Sequence, residues 1–293
     1  MALIQTLIDS IALGVLYALV AMGIGLVFGV MRLVNFAHGE LITFGAYTLF
    51  LTRQAPVAVR VLAAIAVVVV LALVMEFVYR PLRRATAAAM LTATFAASFL
   101  LQNALLLIFG TQGETIGFLP ELNQAIDIAD LRVRWVTLIA IVVGGVMLAA
   151  MGWILGRTSI GLQMRAAAAD FRTAQILGVR TQRVIRIAFV LGAVLTAVVT
   201  LKLAVQRPLV TPNYGFLILV PALVGVVVGG LGRLVPATLG GFVIGFATVV
   251  LSSVLPSGSR VFLNGLLFTV VIVVLLLRPD GLFAHRSRVA ERV

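Results

Sequence analysis

The chain has 293 residues, 62% hydrophobic and only 11% charged, whereas a soluble domain carries about a quarter charged residues, so a soluble globular protein is excluded. The formal net charge of +12 is almost all arginine, Lys202 being the only lysine, and it gathers in short loops between apolar runs. That is the positive-inside pattern of a membrane protein, not a basic groove for nucleic acid, and the absence of cysteine excludes disulfides, thiolate catalysis and cysteine metal sites.

Apolar runs of the roughly 20 residues needed to cross a bilayer core recur along nearly the whole sequence, without the alternating ten-residue strands of a membrane barrel. The expected fold is an all-α polytopic membrane protein, one transmembrane domain over residues 1–293. The first segment, Leu3–Val30, has no basic n-region and outruns a signal-peptide core, so it is expected to persist in the mature protein. Its Asp9 is expected at the membrane interface, and Gly25 and Gly29 form a small-xxx-small pair that admits a second helix.

Arg32–Tyr47, RLVNFAHGELITFGAY, interrupts the apolar pattern with Asn35, His38 and Glu40. His38 is one of two histidines and Glu40 one of ten acids. Polar groups beside lipid must be hydrated, paired or used. Asn35, Phe36, His38, Gly39 and Glu40 are therefore the candidate translocation-path or helix-break residues. The apolar stretch that follows, Leu41–Leu51, is too short to span unaided.

Further segments are expected at Val57–Val78, at Ala85–Phe109, whose alanines and threonines suit burial among other helices, and at Trp135–Leu155, Ile187–Val205, Phe216–Leu231, Val235–Leu255 and Val261–Leu277. The loop Thr111–Arg134, with Glu114, Glu121, Asp127 and Asp130, belongs outside. The turn at Arg80–Arg84 and the tail with Arg286, Arg288 and Arg292 belong inside. The result is eight or nine transmembrane spans with the C-terminus inside and the side of the N-terminus open.

Gly25, Gly29, Arg32–Val34 and Gly45 recur as Gly225, Gly229, Arg233–Val235 and Gly245. Interrupted helices in such internal repeats often meet at a transporter's binding site. In the basic interval 157–186, Ser159–Gly178 is expected to form a short cytoplasmic helix stopped by Gly178. Ala167, Ala174 and Gly178 make a small-residue face on it, with Arg165 and Arg172 beside that face. Such an element serves either as a docking piece or as an amphipathic surface helix.

GVLYALVAMGIGLVFGVMRLVNFAHGE (Gly14–Glu40), EFVYRPLRR (Glu76–Arg84), GLQMRAAAADFRTAQILGV (Gly161–Val179) and LLLRPDGLF (Leu275–Phe283) together resemble the permease subunits of branched-chain amino acid ABC importers. The resemblance implies transport of branched-chain or related hydrophobic amino acids across the bacterial inner membrane. It implies a second homologous permease, two cytoplasmic ATP-binding subunits and a periplasmic substrate-binding protein as partners. It also makes 157–186 the ATPase-coupling loop, with Arg165, Ala166, Ala167, Asp170, Ala174 and Gly178 as its contact residues. The usual E-A-A start of that loop is absent here.

No P-loop pattern occurs, so ATP and magnesium are expected on the partner subunits and no cofactor on this chain, which is read as a transport subunit and not an enzyme. The alternatives are an ion-coupled secondary transporter using His38 and Glu40 as a proton relay, or the same machinery carrying urea or short amides.

Overall fold

The computed structural model describes residues 2–128, 131–278 and 281–283. Asp130, Pro279, Asp280, His285 and the basic tail with Arg286, Arg288 and Arg292 lie outside the described residues.

The chain is built from helices: α1 (Ala2–Met31), α2 (His38–Leu51), α3 (Val57–Tyr79), α4 (Ala87–Phe109), α5 (Trp135–Arg157), α6 (Ser159–Ala169), α7 (Phe171–Ile176), α8 (Thr181–Gln206), α9 (Phe216–Gly229), α10 (Leu234–Val254) and α11 (Leu263–Leu277). Two short antiparallel pairs accompany them. β1 (Glu114–Thr115) pairs with β4 (Leu209–Val210), and β2 (Ala125–Ile128) with β3 (Leu131–Arg134).

Among the described residues, six helices are long and apolar enough to cross a membrane: α1, α3, α4, α5, α8 and α10. α2 and α9 have 14 residues each and α11 has 15. At 1.5 Å per residue, a 14-residue helix reaches about 21 Å, short of the roughly 30 Å hydrocarbon core. The expected count of eight or nine spans is therefore met by length and composition in six helices only, with three shorter apolar elements beside them.

α1 and α8 form the centre. Within its most apolar window α1 is 78% buried and α8 61%, whereas α3, α4, α5 and α10 reach at most 28%. Lipid tails supply no hydrophobic drive between helices, so the backbones associate where small residues let them approach. A Cβ on Gly245 of α10 would stand 2.5 Å from the Leu13 carbonyl oxygen of α1, and one on Gly241 2.5 Å from Ala21 Cβ. On the other side of α1, Gly23 faces Gly192 of α8. Of the expected Gly25–Gly29 pair, only Gly25 faces α10, near Leu234 and Ala237, while nothing lies within 4 Å of a Cβ on Gly29.

Two boundaries and the placement of one helix differ from the sequence expectation. α4 is peripheral: Leu91, Phe95, Phe99, Leu100, Leu107 and Ile108 are exposed, so its alanine-rich composition does not place it among the helices of this chain. α8 begins at Thr181, taking Arg183 and Arg186 into its first turns. The single cytoplasmic helix is two, α6 and α7, divided at Asp170.

The helix–break–helix form occurs twice, as α1–α2 around 32–37 and as α9–α10 around 230–233. The two short helices α2 and α9 start against each other. Gly39 lies against Gly215 and Leu219, and the Gly215 amide donates to Thr43 Oγ1 at 3.0 Å. The N-terminal end of α1 lies at the same end of the molecule as the close of α8 and the β2–β3 hairpin, since Gln5, Asp9, Lys202, Gln206 and Arg132 line one cavity there.

Candidate functional site

The break begins at Arg32, whose φ of 54° is left-handed, a conformation costly for a residue with a Cβ. Asn35 then turns the chain: its Oδ1 accepts from the Ala37 amide at 3.1 Å and from the Tyr79 hydroxyl of α3 at 3.4 Å. This Asx-type turn gives the freed backbone a local partner and launches α2 at His38. Asn35, His38 and Glu40 are all buried, which is tolerable only with partners.

The partners sit on different helices. His38 Nε2 lies 3.0 Å from Thr196 Oγ1 of α8, whose hydroxyl donates to the Gly192 carbonyl at 2.8 Å. A hydroxyl has one proton, so the bond left for His38 is Nε2–H donating to Thr196 Oγ1. Gly23 makes room for the ring, a Cβ there falling 3.0 Å from Nε2. Glu40 Oε1 accepts from Ser98 Oγ at 2.8 Å and from Gln102 Nε2 at 2.7 Å, both on α4. Its Oε2, beside Thr43, is buried without a hydrogen bond of normal geometry. In the first turn of α2, this carboxylate also meets the positive end of the helix dipole. Phe36 is half-buried, its ring edge-to-face with Phe95 of α4 at 6.0 Å.

Five neighbouring residues thus tie α2 to α1, α3, α4, α8 and α9. His38 and Glu40 are bonded to separate partners, so no His–Glu relay pair is assembled. The break residues line none of the cavities described below. Thr196, Ser98, Gln102 and Tyr79 were not singled out from sequence. The Ser98–Gln102 spacing of four on an apolar helix was the signal available for that pair.

Next to the break, α6 is capped by Thr158, whose Oγ1 accepts from the Gly161 amide at 3.2 Å. Asp170 breaks the helix and caps α7: Oδ1 accepts from the Arg172 and Thr173 amides at 2.9 and 3.2 Å, and Oδ2 from the Thr173 hydroxyl. Gly178, at φ 86°, closes α7. Its amide donates to the Gln175 carbonyl at 3.1 Å and the Val179 amide to the Ala174 carbonyl at 3.0 Å, the two bonds of a Schellman stop.

Ala167 and Ala174 are buried, so the small-residue face seats the pair on its own transmembrane domain. Arg165, Asp170, Arg172 and Gly178 are exposed and Ala166 is half-buried. Ile176 and Leu177 stand out at 81% and 77% exposure, the most exposed of the large apolar side chains on α6–α7, which also exposes Leu162 and Phe171. Beside them a cavity of about 700 Å³ is lined by Arg80, Pro81, Arg83, Phe171, Gln175 and Gln182. Glu76 anchors this corner, paired with Arg83 and, at 3.6 Å, with Arg186, while Arg83 donates to Gln182 at 2.8 Å. One bond joins the two regions: Arg32 Nη2 donates to the Ala168 carbonyl of α6 at 2.8 Å.

The Asp170 cap carries a pH dependence. The Thr173 hydroxyl, with the amides of Thr173 and Arg172, holds its carboxyl below the usual carboxylate range. A depressed folded-state value means that the stabilisation is complete above the ordinary carboxylate pKa and is lost as pH falls through the lowered one. Hydrogen-exchange protection of residues 171–177, corrected for intrinsic rates, should fall along that acid limb. In Asp170→Ala it should be low at every pH.

Across residues 6–277 the sequence matches the family described as branched-chain amino acid transport system / permease component. The chain belongs to this family. It is 29% identical to the high-affinity branched-chain amino acid transport system permease protein BraD of Pseudomonas aeruginosa, with 96% of each chain covered. It is 30% identical, again with 96% of each covered, to the permease protein LivH of the high-affinity branched-chain amino acid transport system of Escherichia coli K12. A probable branched-chain amino acid transport permease protein LivH of Methanocaldococcus jannaschii is 24% identical over 91% of this chain. No solved structure matches. The permease is accordingly a multi-pass membrane transport protein.

Proposed function

We propose that this chain is the membrane-spanning subunit of an ATP-driven importer for branched-chain or related hydrophobic amino acids in the bacterial inner membrane. It works with a second related permease, two cytoplasmic ATP-binding subunits and a periplasmic binding protein. ATP and magnesium stay on the partners. The observation that carries this reading is the near end-to-end match to relatives named for such transport, 96% of both chains in the nearest-length cases.

In this reading residues 1–293 form one transmembrane domain with eight or nine crossings, the shorter helices α2, α9 and α11 adding to the six long ones, and with the C-terminus inside. The interval 157–186 is the coupling loop. α6–α7 presents Arg165, Arg172, Ile176 and Leu177 to an ATP-binding subunit, while Ala167 and Ala174 fix the pair to the membrane domain. The Asn35–Glu40 break is the hinge that this motion bends: its residues hold α2 to five other helices, so displacing α2 moves the bundle.

The test is reconstitution in vesicles. Leucine uptake should require both ATP-binding subunits and ATP. Full uptake by this chain alone, or uptake that survives ATP depletion but collapses with the proton gradient, would reject the proposal in favour of ion coupling.

A further inference from the structure

At the end of the molecule opposite α6–α7, a cavity of about 680 Å³ opens between α1, α8, α9, α10 and the β2–β3 hairpin. That volume lies within the range of small-molecule sites. Five charged side chains line it: a single carboxyl, Asp9 from α1, against Lys202 from α8, Arg207, and Arg132 and Arg134 of β3. Asp9 and Lys202 are each bonded to a neutral amide one turn along their own helix: Asp9 Oδ2 accepts from Gln5 Nε2 at 3.0 Å, and Lys202 Nζ donates to Gln206 Oε1. Neither is bonded to the other. Gln5 Oε1 is buried without a hydrogen bond.

A charge in a half-apolar cavity is costly unless paired, and pairing these two directly would have been the cheaper arrangement. Held apart, they form a dipolar receptor. Its acceptors are Asp9 and the unpartnered Gln5 oxygen; its donors are the Lys202 ammonium and, also lining the cavity, the guanidinium groups of Arg207, Arg132 and Arg134. Leu13, Ile218 and Val249 supply an apolar wall.

We propose that this cavity binds a zwitterionic aliphatic amino acid, with the α-ammonium on Asp9 and Gln5 and the α-carboxylate on Lys202 and Arg207. Its side chain lies against Leu13, Ile218 and Val249. The inference rests on the importer reading for the class of cargo and adds a receiving site within one chain at its outer end, apart from the Asn35–Glu40 break.

Calorimetry on the purified full-length permease in nanodiscs tests it with three probes: L-leucine, leucinamide (no carboxylate) and 4-methylpentanoate (no ammonium). Leucine should bind at least about tenfold more tightly than either analogue, since each analogue leaves a charged group of the site unpaired. Asp9→Asn should weaken leucine and leucinamide but not 4-methylpentanoate, and Lys202→Met should weaken leucine and 4-methylpentanoate but not leucinamide. The wild-type comparison needs no variant to fold.

Equal binding of all three probes by the wild type, or no leucine binding, overturns the site even where the assembled importer carries leucine. Discriminating binding by the permease alone supports the site even where the assembled system fails to import leucine, an outcome that would overturn only the importer reading.

Discussion

Gly215→Ala should leave little folded permease, whereas Gly29→Ala should be at least as stable as the parent. Gly215 has an ordinary helical conformation, φ −77° and ψ −27°, so alanine meets no backbone strain there and the effect is purely steric. A Cβ at 215 would overlap the Gly39 carbonyl oxygen and stand 2.8 Å from the Gly39 carbonyl carbon and 2.9 Å from Thr43 Oγ1. Those neighbours are mainly backbone of α2, and α2 is held on its other sides through His38 and Glu40. It cannot retreat without breaking buried polar bonds. Overpacking typically costs about 1–3 kcal/mol, and a backbone obstacle places this case at or above about 3 kcal/mol, a large share of a marginal stability. At Gly29 a Cβ meets nothing within 4 Å, and alanine in a helix interior gains about 0.5–1 kcal/mol over glycine. Thermal unfolding followed by size-exclusion chromatography reads both. Parent-like behaviour of Gly215→Ala would show that the starts of α2 and α9 need not touch.

Helix positions were legible where the apolar runs are long. α3 and α5 follow the expected segments closely because lipid demands unbroken hydrophobicity. The first turns of α8 were not legible: Gln182, Arg183 and Arg186 read as loop, yet Arg186 and Gln182 are drawn into the Glu76–Arg83 corner, a contact about 100 residues away in sequence. Asp170 was visible as the one acid of its loop, but its place as a cap depends on where the chain turns. The break residues stand out in the sequence by the scarcity of polar groups in an apolar chain, and the fold buries Asn35, His38 and Glu40. Their partners Thr196, Ser98 and Gln102 were missed because hydroxyls and amides in membrane helices are common and only the fold aims them. Asp9 and Lys202 share a cavity from opposite ends of the chain, and no local pattern announces it.

Arg32→Ala should uncouple the assembled importer, with ATP hydrolysis continuing while the ATP spent per leucine carried rises by roughly fivefold or more, the lower end of ordinary coupling energies. Arg32 ends α1 in the left-handed region, a strain of order 1–3 kcal/mol that persists only where the surroundings hold it. What holds it is contact with two other elements. Its Nη2 donates to the Ala168 carbonyl in the last turn of α6 at 2.8 Å, where a cation also complements the helix dipole. Its Nη1 lies against Gly232, in the turn between α9 and α10.

One guanidinium therefore touches the α6–α7 pair and the second helix break while its backbone forms the start of the first break. A push on α6 reaches both through it. Arg32→Gly separates coupling from architecture: glycine relieves the φ of 54° and should match or exceed the parent in thermal stability, yet it loses the same bond and should uncouple as alanine does. A parent-like ratio of hydrolysis to uptake in Arg32→Gly would mean that force from α6 travels through the buried Ala167 and Ala174 contacts instead.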